Sequence, residues 1–468
     1  TLRRLSAAGE ASTSVPHTSR IRGWSVNGHD SEGGFLVTRP ARLVFIALGI
    51  LAMSAATAVA ETPYEVWGID QSNSPGKTFG GTVYIYDGKD LERRAAEAVP
   101  EVIDLGLAAA TLCVDRTGAS PVRPHMLAMN ASQTHAVISF VASGHVLIMN
   151  ARTRTPIECI RTSVGAGGAR QVHFAIPSPD ESYIAVANQN GKLFERIDTD
   201  YGTNSFVLNV AALINLATCV TPNGVACQDP AIRPDNAPIC PIIESTSRFV
   251  FVTLRGGGLF VVDAKKTPME IVAEYDLATV HPNGCLGAQV GQKMYVDSGG
   301  GTASHLFGAD VYAFPVTGFS PLNAPNVPAP SVVLSDTSEG ADAHGATLTK
   351  HQRYLWVANR GENFIWVIET QTDEVVNTIP LAGPVSDDPT PDLMATAPNG
   401  SHVFMSLRGP NPLTADPHVS TGSTPGIGVI KVRQGGRGGT FEALAPVTNL
   451  DPGNVERADV HALTTRLK

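Results

Sequence analysis

Residues 344–381 read HGATLTKHQRYLWVANRGENFIWVIETQTDEVVNTIPL, and they hold four β-rich runs, GATLT, YLWVAN, FIWVIE and VVNTIP, broken by polar turns. Alternation and β-branched content mark the runs as strands. Gly361 and Asn363 fall where a tight hairpin calls for positive φ. The same four-run unit recurs at 125–162, 173–210, 240–277, 285–334 and 392–450. One such unit cannot bury both of its faces, so units of this length must pack face to face around a common axis. The chain ends supply one more. YEVWGIDQSNSPGKTFGGTVYIYDGKDL and PEVIDL look like second, third and fourth strands lacking a first. The terminal ADVHALTTRLK matches ADAHGATLTK at 341–350 and then stops. The expectation is an all-β, seven-bladed β-propeller of four-stranded antiparallel blades, its ring closed by the C-terminal strand joining the N-terminal blade. The expected blades cover 64–105 with 459–468, 125–163, 173–211, 240–278, 285–335, 344–382 and 392–450.

Composition agrees: 45 Gly and 33 Pro without a collagen period supply turns, and 16% charged residues is lean for helical surfaces. A net charge of −9 argues against a general nucleic-acid binder.

The segment YLWVANRGENFIWVIETQTDEVVNTIPLAG, with IPSPDESYIAVAN in another unit, resembles the repeat of YVTN (YncE-like) propeller proteins. The resemblance spans roughly 64–468, strongest at 344–383 and weakest at 285–334. It implies fold more than function, because lactonase-like, selenium-binding-type and quinoprotein-dehydrogenase propellers share similar repeats.

Arg39 and Arg42 precede the apolar run Leu43–Leu51, and small residues follow to Ala58-Val59-Ala60. That order predicts a secretory signal peptide over 39–60, hence a periplasmic or secreted protein with no membrane span after cleavage. Residues 1–38 read as disordered or as mistranslated upstream sequence, leaving the propeller over 61–468. Removing six Lys/Arg and three Asp/Glu with residues 1–60 leaves a charge of −12.

In a propeller the first strand of each blade lines the channel, and its opening residue points to one mouth. Aligned, the units place His461, His125, His173, Cys240, Cys285, His344 and Asp392 there. The whole chain has only 13 His and 6 Cys, so four and two of them at matched positions form a candidate metal site. Imidazole with thiolate suits copper or zinc. Arg255, Arg360 and Arg408 fall at equivalent turns on the same face and are candidate anion- or ligand-binding residues. Asp342 and Asp459, two residues before a channel histidine each, are read either as acceptors orienting imidazoles or as caps of tight connections.

Three functions compete: a metal site with redox or hydrolytic chemistry, a non-catalytic binding scaffold, and a lactonase-like hydrolase. The last wants more acids than Asp392 at the channel positions. The partner at the mouth is a small ligand or an envelope protein, and the chain is expected to be a monomer. There is no haem-attachment or nucleotide-binding motif. Cys219 and Cys227 bracket a turn-forming PNG and are expected to be bonded. Cys240 and Cys285 are either metal ligands or a disulfide, and Cys113 with Cys159 is a further pairing. His135, His351 and His402 are expected in solvated turns, His305 and His418 in mobile lid-like loops, and Trp67, Trp356 and Trp366 in the packing between blades.

Overall fold

The computed structural model describes residues 62–300, 308–413 and 421–468. The signal-peptide and upstream readings, and His305 and His418, lie outside the described residues. The described chain forms seven sheets, each built on four antiparallel strands in meander order. One blade runs Pro124–Met129, His135–Phe140, His145–Asn150 and Pro156–Arg161, from channel to rim. In the closing blade Val460–Leu467 pairs with Tyr64–Asp70, which is followed outward by Thr82–Asp87 and Glu101–Asp104. This is the closure by a C-terminal strand that the chain ends imply, and it leaves no free sheet edge at the seam. One blade carries an extra short strand, Ile214–Asn215, against Leu193–Asp200.

Second strands such as Tyr183–Asn188 and Tyr354–Asn359 are buried along their whole length. Both of their faces pack on neighbouring sheets, so their sequences are continuous apolar runs rather than alternating ones. One such layer joins Trp356, Ile365 and Ile379 of one blade to Val403, Met405 and Ile430 of the next. Rim strands such as Glu374–Pro380 are largely exposed. Trp67 and Trp356 are fully buried and Trp366 nearly so, as packing residues between blades. In the hairpin after Tyr354–Asn359, Asn363 takes φ +60° while Gly361 stays outside the left-handed region.

Among the described residues two α-helices lie between the strands of this all-β fold. α1, Gly88–Arg94, is capped by the Asp87 carboxylate accepting from the Lys89 and Asp90 amides. α2, Ala108–Thr117, buries Ala109, Ala110 and Cys113. Their sequences, GKDLERR and AAATLCVDRT, are rich in strong helix formers, a signal that the blade period hides. All six cysteines are paired, as Cys113–Cys159, Cys219–Cys227 and Cys240–Cys285.

Candidate metal centre in the channel

Six inner strands share one irregularity, and it falls on the residue singled out in the sequence. Strand register slips by one residue at His125, His173, His344 and His461, and across Ile239–Cys240 and Asp392–Leu393. A bulge leaves its extra residue outside the ladder and re-aims that side chain. In the fourth complete blade Cys285 precedes the inner strand Gly287–Val290, and the Asp297 carboxylate accepts from the Cys285 and Leu286 amides instead. Small hydroxyls tie the bulges to neighbouring blades: Ser139 donates to the His173 carbonyl, Thr253 to that of Gly284, and Ser406 to that of His461.

The four histidines form one contiguous row. Ring centroids of His173 and His125 are 4.4 Å apart, those of His125 and His461 3.8 Å, and those of His461 and His344 5.8 Å. Asp392 ends the row. Its Oδ1 lies 3.2 Å from His344 Nε2 and its Oδ2 3.7 Å from His461 Nε2. One ligand atom from each of these three residues lies within 4.8 Å of the other two. His125 and His173 face each other through their Nε2 atoms at 3.2 Å.

The surrounding charges are paired and buried. Arg408 donates to Asp392 Oδ2 at 2.7 Å and to both oxygens of Asp459, at 2.6 and 2.9 Å. Arg360 donates to Asp342 at 2.6 Å and reaches Asp392 at 3.6 Å. Two guanidinium groups and His344 thus face the carboxylates of Asp342, Asp392 and Asp459.

Burial pushes His125 and His461 well below the ordinary imidazole range, with neighbouring histidines and Arg408 adding to it. Burial likewise takes His173 down to about 3. These three imidazoles are therefore neutral near pH 7. Burial alone would raise the Asp392 carboxyl, but His344, Arg360 and Arg408 outweigh it and hold the group below its ordinary value.

His461 Nδ1 lies 3.1 Å from the His125 carbonyl oxygen, which can only accept, so Nδ1 carries the proton. The bare Nε2 of His461 then faces an ionised carboxylate, two acceptors with no hydrogen between them. Asp392 Oδ1, fully buried, accepts no hydrogen bond. An unprotonated His461 Nε2 opposite an ionised carboxylate fits a cation between them.

Other expectations land differently. Arg360 and Arg408 are 3% and 2% exposed and committed to carboxylates of the protein itself, so they neutralise the centre and do not stand open to an anion. Arg255 is exposed and pairs with Asp235 at 2.6 Å and with Asn190. Asp342 and Asp459 grip these arginines. Cys240 and Cys285 are bonded to each other, and in that form neither sulfur is a thiolate ligand. His135 and His402 are buried, not solvated: His135 bonds Asn204 at 2.8 Å, and His402 lies 3.7 Å from Glu92.

Two contributors escaped the sequence reading. Gln71 joins His125 Nδ1 at 2.8 Å to Asp459 at 2.6 Å. Asp297 is fully buried, and burial raises its carboxyl well above the usual range. Gln71 lies in a turn after an N-terminal strand, and only ring closure brings it beside Asp459.

No family model and no curated protein sequence matches the chain. Solved structures do. A hypothetical selenium-binding protein from Sulfolobus tokodaii superposes with a TM-score of 0.58 at 8% identity, over 86% of this chain and 93% of that one. A protein from Lactobacillus plantarum gives 0.55 at 12% identity, over 86% and 99%. A proposed 6-phosphogluconolactonase from Bacteroides fragilis gives 0.51 at 12% identity, over 87% and 99%. At these identities the likeness is one of fold alone.

Proposed function

We propose that this protein is an exported propeller that binds copper or zinc in its channel, through His344, Asp392 and His461, with His125 and His173 alongside. The observation that carries the reading is the bare Nε2 of a neutral His461 opposed to the ionised Asp392 carboxylate. That arrangement is repulsive by itself and attractive around a cation. Imidazole nitrogen with one carboxylate suits both metals.

The chain's own residues would do three things. The His125 carbonyl fixes the His461 tautomer so that Nε2 points to Asp392. Arg408 and Arg360 keep that carboxylate ionised and in place. The buried inner strands keep bulk water from the ligand atoms. A bound ion with an open coordination position would supply Lewis-acid or redox chemistry. Three disulfides fit folding in an oxidising compartment, in line with export.

The test is elemental analysis of protein purified without chelator, followed by copper and zinc titration. One tightly held ion per chain is expected, lost in a His344→Ala/His461→Ala variant that keeps its strand circular dichroism. Metal-free protein that takes up neither ion removes the reading.

A further inference from the structure

We infer that His173, Cys240 and Cys285 form a second metal site, one that opens when the Cys240–Cys285 disulfide is reduced. It uses none of the three ligands proposed above and shares with that centre only His173 alongside it, and the variants below separate the two readings.

A chain of hydrogen bonds leads from Asp459 to His173, and its direction is fixed at the Asp459 end. The Gln71 side-chain amide nitrogen donates to Asp459 Oδ2 at 2.6 Å, a carboxylate that also receives Arg408. The Gln71 amide oxygen therefore faces His125 Nδ1 at 2.8 Å, and an oxygen acceptor requires that nitrogen to carry the proton. His125 Nε2 is then an acceptor, and His173 Nε2, 3.2 Å away, donates to it. A neutral imidazole has one N–H; with Nε2 donating to His125, His173 Nδ1 is the nitrogen turned to Cys240 Sγ at 3.6 Å, and the Ile239 carbonyl bonds the same ring.

A disulfide has no hydrogen to offer that nitrogen. Two thiolates with a metal would use it. The His173 nitrogen and the two sulfurs lie within 4.8 Å of one another. The Cα atoms of the two cysteines are 4.8 Å apart, on adjacent inner segments that meet at the channel. Two sulfurs and one imidazole nitrogen make a soft donor set suited to zinc or Cu(I). Among the described residues neither Cys113–Cys159 nor Cys219–Cys227 belongs to such a group.

The chemistry balances in two steps. A dithiol reductant transfers two electrons and two protons: the S–S bond breaks, two cysteine thiols form, and the reductant closes to its own disulfide. A divalent ion then replaces both thiol protons, which leave to solvent, while His173 Nδ1 donates its lone pair.

The experiment is anaerobic titration of the whole protein with Cd²⁺, before and after treatment with excess dithiol, read by the ultraviolet thiolate-to-cadmium charge-transfer band. In reduced protein the band should rise to one additional equivalent of Cd²⁺. It should be absent in oxidised protein and in a Cys240→Ser/Cys285→Ser variant. His173→Ala, which keeps both cysteines, should weaken the extra binding by about tenfold or more. The His344→Ala/His461→Ala variant should keep the band, which separates this site from the first. Equal bands in reduced wild type and in the Cys240→Ser/Cys285→Ser variant would overturn the proposal. So would a Cys240–Cys285 bond that resists excess dithiol, or no loss of affinity in His173→Ala.

Discussion

Gln71 shows how one uncharged side chain sets the state of a histidine. Its amide can satisfy Asp459 in one orientation only, and that choice places the proton on His125 Nδ1. Partners of this kind typically carry 10–100-fold in metal affinity. Gln71→Ala should therefore weaken ion binding in the channel by about tenfold or more, measured by competition with a chromophoric chelator. Unchanged affinity would mean that His125 does not influence the centre. A second histidine tests burial away from the channel. His145 is buried against Thr117 and Ser143 hydroxyls at 2.8 and 2.9 Å. Burial, with Arg161 and Arg170 nearby, takes it down to about 4. Between about 4 and the unfolded value of about 6.5 the unfolded chain holds the proton and the folded chain does not. Folding stability therefore rises with pH across that window and falls on acidification. His145→Gln should flatten the slope of denaturation midpoint against pH between those limits. A slope identical to wild type would contradict the assignment.

At the scale of the element, the inner strand is a device for turning side chains. Six bulges at matched places carry the histidines, Cys240 and Asp392 out of the ladder and toward the axis. Close approach of strands there depends on missing side chains. A Cβ on Gly345 would sit 2.0 Å from the Asp392 carbonyl oxygen, a backbone atom that no rotamer change can clear. Gly345→Ala should cost about 3 kcal/mol in chemical denaturation, the upper end of overpacking penalties. It should also lower metal uptake, because the His344 and Asp392 bulges must separate. A loss under about 1 kcal/mol would show that the inner strands yield more easily than this contact implies.

For the whole molecule, closure and cross-links act on different terms. The Val460–Leu467 strand removes the open edge that Tyr64–Asp70 would present. The disulfides restrict the unfolded chain, by an amount that grows with loop length. Cys113–Cys159 spans 46 residues and Cys219–Cys227 spans 8. Chain-entropy estimates give about 4 and about 2.5 kcal/mol. Double serine variants should follow that order in calorimetric melting temperature, with the 113/159 pair losing more. The reverse order would mean that the 219–227 hairpin holds native packing beyond its loop entropy.

The fold was legible because a repeat declares itself locally. Four apolar runs with turn residues between them recur along the chain, and the split unit at the two ends announces closure. The channel residues were legible for the same reason, since matched places in matched units must share an environment. The helices of residues 88–94 and 108–117 were hidden by reading every segment on the blade period. Partnership was beyond the sequence. Gln71 and Asp459 are far apart along the chain, and the pairing of Arg408 with Asp392 and Asp459 depends on which carboxylates the ring brings within 3 Å. Buried imidazoles, tautomers and the choice between thiol ligand and disulfide at Cys240 and Cys285 likewise follow from distances across the channel. Periodicity in the sequence determined that seven sheets would form and which side chains would open each inner strand. Only the closed ring decided what those side chains face, because their partners come from other blades.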